Sequence, residues 1–328
     1  MKRRMARRGK NRDMTGSGCL GKSADRAVCA VLGLCAALLF TACAGEENAA
    51  GQAGKDAVRL GGAEAAAGQS GQNEDWLAER MRQDRRTKQD LRTEPEDMER
   101  TERIDLNACE SGRVILSGSG DIWLSGSLNG QVVIDAQEDE LVHLYLAGVE
   151  ITSLKGPAMQ IQEAAKVIVT LVSDTENVLS DSPDYKDFEE TPACLYSACD
   201  LTINGGGALR VYGYHGDGIR SKDRIRLLDG TFAVHAKGDG IRGNDGIYMW
   251  EASVDIESEK NGLRTVNQGA DDRGVIEING GTLSTVAGKN GVCAASDLYL
   301  YRGEGSINAV EEKVRTEGTA YIAEGFLK

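Results

Sequence analysis

The stretch from Asp217 to Leu263 reads DGIRSKDRIRLLDGTFAVHAKGDGIRGNDGIYMWEASVDIESEKNGL, and it decides the fold. It holds three anchors, Asp217-Gly218-Ile219, Asp239-Gly240-Ile241 and Asn261-Gly262-Leu263, spaced 22 residues apart. A fourth, Asn290-Gly291-Val292, follows after 29 residues, which is the same period plus a seven-residue insertion around 268–274. Fixed periods of this length mark solenoids, propellers or arrays. Two apolar columns keep constant offsets from the anchor: Ile225, Ile247, Ile276 and Leu298, then Leu227, Met249, Ile278 and Leu300. The residues between the columns (Arg226, Tyr248, Glu277, Tyr299) are polar or amphipathic. That alternation has period two, so the repeat is made of strands. The sequence predicts an all-β chain, a right-handed single-stranded parallel β-helix of about 22 residues per coil. Working outward, a seam of roughly 225 residues gives about ten coils stacked ~4.8 Å apart, a rod roughly 45–50 Å long.

Composition agrees. Aromatics are only 5% of 328 residues, thin for a globular core but suited to stacked Val, Ile and Leu. The net charge is −13, and residues 1–42 carry +7 of their own, so the chain without them stands at −20. That charge excludes nucleic acid as a partner, because phosphates need Lys and Arg to neutralise them. It favours divalent cations, or acidic polymers reached through them.

Residues 1–43 read as an export signal: a basic region precedes the apolar run Ala27–Phe40, too short to span a bilayer, and then Leu39-Phe40-Thr41-Ala42-Cys43. This boundary resembles a bacterial lipobox, which makes Cys43 the lipidation site and places the protein outside the cytoplasm, anchored by lipid to a bacterial cell or outer membrane. Residues 44–103 read as a flexible and charged tether, interrupted at Pro95. Residues 104–328 form the β-helix domain, in which Asp174–Glu190 is an acidic excursion and Tyr301–Lys328 a candidate cap. The cysteines have no zinc spacing, and Cys194 suits core packing.

From Leu116 to Ala309 a run of motifs occurs in order. These are Ser117-Gly118-Ser119-Gly120, Leu124-Ser125-Gly126, Gly156-Pro157-Ala158, Asn177-Val178-Leu179-Ser180-Asp181, Asp200-Leu201-Thr202-Ile203-Asn204-Gly205 and the Asp-Gly-Ile coils. In these the chain resembles the bacterial carbohydrate-binding β-helix lipoproteins, a surface family akin in fold to polysaccharide lyases. The resemblance implies binding of acidic or neutral plant-type polysaccharide, with calcium and without established catalysis. Two departures remove negative charge: Asn261 and Asn290 replace Asp, and Cys199 stands where a Lys-Asp-Asp run is usual.

Three sets of residues are candidates. Strand alternation turns Tyr196, Arg220, Arg242, Arg264 and Cys293 outward in one column. The three arginines form a carboxylate-pairing ladder, unless Asp and Glu of the same protein already neutralise them. Tyr212, Tyr248, Trp250 and Tyr299 alternate with inward residues and are expected to be exposed as sugar-stacking faces. Asp217 and Asp239, with Asp223 and Asp245 six residues on, are calcium candidates, or a structural turn ladder, and the loop of Asp181, Asp184, Asp187 and Glu189 competes for the ion. No catalytic motif appears. The expected function is therefore polysaccharide binding on the β-helix face. A calcium-dependent lyase of the same fold and a purely structural or adhesive surface protein are the alternatives.

Overall fold

The computed structural model describes residues 58–60 and 74–328, apart from 111, 184, 187–189, 270 and 271. The export signal, Cys43 and most of the tether lie outside the described residues. So do Asp184, Asp187 and Glu189 of the acidic loop.

The chain is a parallel β-helix with three strand ladders. Sheet A takes one strand from each coil, among them Met159–Glu163, Ala193–Ser197, Asp217–Ser221, Ile241–Gly243, Leu263–Arg264, Val292–Ala294 and Val314–Thr316. Sheet B follows in each coil, with Lys166–Leu171, Asp200–Asn204, Arg224–Leu227, Gly246–Met249, Val275–Ile278, Leu298–Leu300 and Ala320–Ile322. Sheet C completes the coil with Glu176–Ser180, Ala208–Gly213, Thr231–Ala236, Ser253–Ser258, Thr282–Ala287 and Glu304–Ala309. The first of these strands lies inside the acidic excursion, so that stretch is partly a coil strand. In the early coils, Gly120–Asp135 runs through all three ladders and Leu141–Thr152 through sheets B and C.

The registers match the periodicity. On sheet A, Val132, Met159, Leu195, Ile219, Ile241, Leu263, Val292 and Val314 are successive Cα partners. On sheet B, Ile225, Ile247, Ile276 and Leu298 form one column and Leu227, Met249, Ile278 and Leu300 the next. Leu209, Phe232, Val254 and Leu283 line sheet C. All of these are buried in one continuous core. Burying each Ile or Leu contributes ~1.5–3 kcal/mol, so a core of identical rungs stabilises coil by coil.

The anchor glycines are explained by close approach. A Cβ on Gly218 would lie 2.4 Å from Val234 Cγ1 and 2.7 Å from the Gly240 carbonyl oxygen. One on Gly240 would lie 2.3 Å from Ile256 Cγ2 and 2.8 Å from the Gly262 oxygen. Neither glycine has a left-handed φ, so the bend needs the missing side chain and not the backbone freedom.

The closing segment caps the stack. Ala320–Ile322 adds a last strand to sheet B, and Phe326 is buried in the core beneath Gly305. At the same end, Val58–Leu60 pairs in parallel with Val314–Thr316 and extends sheet A.

The charged stretch expected to be tether behaves differently from a tether over its described part. After the helix Glu74–Arg82, the chain runs along the outer face of sheet B, from the late coils back to the early ones. Arg80 bonds Asp272 at 2.8 Å, and Arg85 also pairs with Asp272. The Arg85 carbonyl accepts from Arg226 Nε at 3.0 Å. Asp90 pairs with Lys166 and accepts from Thr202 Oγ1 at 2.5 Å. Arg92 grips Asp121 with two bonds of 2.6 and 2.7 Å.

Candidate functional site

The sheet A column forms as expected. Tyr196, Arg220, Arg242, Arg264 and Cys293 are in register, and Arg315 extends the row. Inward Ile219, Ile241 and Leu263 fix the pleat, so the alternate side chains must point away from the core. The backbones that carry adjacent arginines are therefore one strand spacing apart, ~4.8 Å. Neutralisation by the protein itself is uneven. Arg220 reaches Asp217 only at 3.8 Å, and its buried Nε has no hydrogen-bond partner. Arg264 meets Asp239 at 3.3 Å. Arg242 donates Nε to Asn244 Oδ1 at 3.1 Å and has no carboxylate within 4.0 Å among the described residues. Burial, then the neighbouring Arg220 and, behind it, Arg264, hold the Arg242 guanidinium below its ordinary range, against the pull of Asp217 and Asp239. Further along, a recess of about 320 Å³ opens between Arg264 and Arg315, floored by Cys293 and Asn290.

The bend residues resolve into a ladder that runs from coil to coil. Asp217 Oδ1 accepts from Asp239 N at 2.8 Å, and Asp239 Oδ1 from Asn261 N at 3.1 Å. Asn261 Nδ2 also donates to Asp239 Oδ1 at 2.7 Å, and Asn290 Nδ2 donates to Asn261 Oδ1 at 2.9 Å. The two neutral amides thus have a reason: each supplies a donor to the acceptor beneath it, which a stacked carboxylate could not do. Burial, reinforced by Asp239, raises the Asp217 carboxyl above the usual range.

Calcium does not fit the four expected aspartates as a set. Asp217 opens its sheet A strand and Asp239 stands at the bend before the next one; both already accept backbone N–H groups and face arginine. Asp223 and Asp245 sit at the opposite end of the sheet A strands, where Asp245 accepts from Asn267 Nδ2 at 2.6 Å. No group of three or more His, Cys, Asp or Glu side chains is placed to hold a metal among the described residues. In the acidic loop, Asp181 is occupied by Tyr185 Oη at 2.8 Å and Tyr214 N at 2.6 Å.

The aromatics point outward, as alternation requires, but three of the four are not exposed. Tyr248, Trp250 and Tyr299 retain 0, 9 and 3% of their accessible surface. The covering segment explains this: Arg80 lies 4.0 Å above the Tyr299 ring, Arg85 5.7 Å above Tyr248 and Arg86 5.0 Å above Trp250. Tyr212 stands on sheet C, stacked on His235 with ring centres 5.4 Å apart, beside an open groove of about 550 Å³ that Tyr214 and Val310 line. The arginines, the covered aromatics and Tyr212 therefore occupy three different faces, and no single surface collects all seven. Cys194 is buried in the core; Cys109, Cys199 and Cys293 are free thiols.

An elongated β-helix whose face repeats one cationic side chain at strand spacing is a scaffold for a periodic, linear ligand. The chain belongs to the carbohydrate-binding domain-containing protein family, whose profile matches residues 110–326. It is 36% identical over 230 residues to a carbohydrate-binding domain-containing protein of Acetivibrio thermocellus, covering 68% of this chain and 80% of that one. Among solved structures it is similar to the polysaccharide lyase-like protein from C. thermocellum, in a gadolinium derivative. That similarity has a TM-score of 0.66 at 26% identity and covers 69% of this chain and 97% of the other.

Proposed function

We propose that this chain binds an acidic polysaccharide along sheet A, its uronate carboxylates paired with Arg220, Arg242 and Arg264. The observation that carries the reading is Arg242, a half-buried guanidinium between two others with no carboxylate partner among the described residues. A carboxylate laid along the row relieves that crowding, and the planar fork donates to it bidentately. Family membership supports the carbohydrate; the charge of the row supports an acidic one. Repetition favours binding over cleavage, because a lyase needs one base and an arginine stays protonated. In this reading the protein is held outside the cytoplasm by lipid on Cys43. We propose calcium binding as well, at a site other than Asp217, Asp223, Asp239 and Asp245 together; equilibrium dialysis of radiolabelled calcium against chelator-treated protein measures it.

Titration calorimetry with hexagalacturonate tests the proposal. Arg220→Gln, Arg242→Gln and Arg264→Gln combined should weaken binding about 3- to 150-fold, since three charge pairs of ~0.2–1 kcal/mol each add to ~0.6–3 kcal/mol. Parent affinity should fall as salt rises, because screening sets in at ~10 Å in 0.1 M salt. An unchanged affinity in the triple variant sinks the proposal, and accumulation of unsaturated uronate product would transfer it to the lyase reading.

A further inference from the structure

The face of sheet B beneath residues 80–92 is built like a binding groove, yet the chain itself fills it. Its outward column reads Tyr248, Glu277, Tyr299 and Tyr321 in register through the late coils. Beside it Trp250 stacks with Tyr248, and Trp123 with Tyr145 at the early end. The covering segment crosses from Tyr299 to Asp121 in twelve residues along the solenoid axis, leaving the helix at Arg82, running without a turn over 83–87 and turning at 88–91. Three of its guanidinium carbons lie over ring faces, 4.0–5.7 Å from the ring centres, where a pyranose ring would stack.

The hold on this segment is polar, with Asn204 Nδ2 donating to the Asp90 and Arg92 carbonyls at 2.7 and 2.9 Å and Arg226 Nε to the Arg85 carbonyl at 3.0 Å beside the ion pairs. Arg80, Arg85, Asp90 and Arg92 dock through ion pairs with Asp272, Lys166 and Asp121. Its large apolar side chains Met81 and Leu91 face solvent, with 41 and 53% of their surface exposed. A segment integral to the core would bury them. The seven-residue insertion supplies Asp272, in a left-handed conformation with φ 58°, as a docking post for two of the arginines. Moreover, the groove is not filled at its early end. A cavity of about 260 Å³ remains between Thr93 and Glu94 of the segment and Trp123, Thr170 and Gly205 of the coils, a foothold for an incoming chain.

We infer that the aromatic face of sheet B is a second carbohydrate site, for a linear neutral polysaccharide, and that residues 80–92 are a displaceable strap occupying it. Neutral is the class the charges select. Departure of the strap leaves Asp121, Asp272 and Glu277 without their arginine partners, so an acidic glycan is repelled while hydroxyls can donate to these carboxylates. This site is separate from the arginine row of sheet A. Cellohexaose reports on it, and hexagalacturonate reports on the other, so the two readings fail independently.

The test pairs a strap variant with the parent protein. Arg80→Ala, Arg85→Ala and Arg92→Ala together should raise cellohexaose affinity about tenfold or more, the gain expected when a strap closed for about nine-tenths of the time no longer competes. Acrylamide quenching of tryptophan fluorescence should rise with it, and adding Trp250→Ala should cancel the gain. In the parent, hydrogen exchange at the Thr87 and Asp90 amides should accelerate when cellohexaose is added. Greater tryptophan accessibility with unchanged affinity overturns the second site. If the variant does not fold, the parent decides alone: Thr87 and Asp90 amides whose exchange does not respond to cellohexaose overturn the strap.

Discussion

Removing the Asp239 side chain should separate a structural ladder from a metal site. Asp239 retains 1% of its surface and accepts from Asn261 N at 3.1 Å, Asn261 Nδ2 at 2.7 Å and Arg264 Nη1 at 3.3 Å. Asp239→Ala leaves the two Asn261 donors buried and unpaired, and each such group costs ~1–3 kcal/mol. Arg264 is more than one third exposed and turns to water, adding little. The expected loss is about 2–6 kcal/mol. Asp239→Asn keeps the Oδ1 acceptor and removes a carboxylate next to Asp217, so it should cost about 1 kcal/mol or less. Urea unfolding followed by circular dichroism, with and without chelator, measures both. Equal stability of the two variants would refute the ladder. So would a chelator effect present in the parent and absent from Asp239→Asn, because that is how a metal ligand behaves.

Gly240→Ala places a Cβ 2.3 Å from Ile256 Cγ2 and should lower the melting temperature by several degrees, as overpacking of about 1–3 kcal/mol does; an unchanged melting curve contradicts the close approach. Burial, with Arg92 behind it, depresses the His143 imidazole from 6.5 to about 4, so its contribution is fully present above pH ~6.5 and is lost as pH falls toward 4. His143 alone should therefore withdraw about 3 kcal/mol across that window, opposed in the parent by Asp181, whose buried carboxyl is pushed up to about 6, and the difference between parent and His143→Gln in pH-dependent urea titrations should show the His143 part. Cys43→Ser should abolish radiolabelled palmitate incorporation, and label that persists rules out lipidation at that residue.

The coils were legible because every repeat states the same chemistry: an amide or carboxylate, a glycine, then inward aliphatics at even spacing. The arginine row followed directly, since register and pleat fix it once Ile219 and Ile241 face inward. Exposure was not legible. Alternation says that Tyr248 and Tyr299 point away from the core, but not what lies above them. The cover comes from a non-repeating polar segment whose partners are as far as 197 residues along the chain. One signal could have found it. Ile168 and Tyr145 also point outward on sheet B and are fully buried, and outward apolar residues beside an arginine-rich stretch call for a lid. The insertion at 268–274 was visible as a break in the period, but its role as the carrier of Asp272 needed the three-dimensional neighbourhood.

A crystal structure of the complex with trigalacturonate tests the central claim most directly. The account predicts an oligosaccharide lying along the axis on sheet A, with successive carboxylates within hydrogen-bond reach of Arg220, Arg242 and Arg264. A sugar seated in the Tyr212 groove of sheet C, with the arginine row untouched, would contradict it.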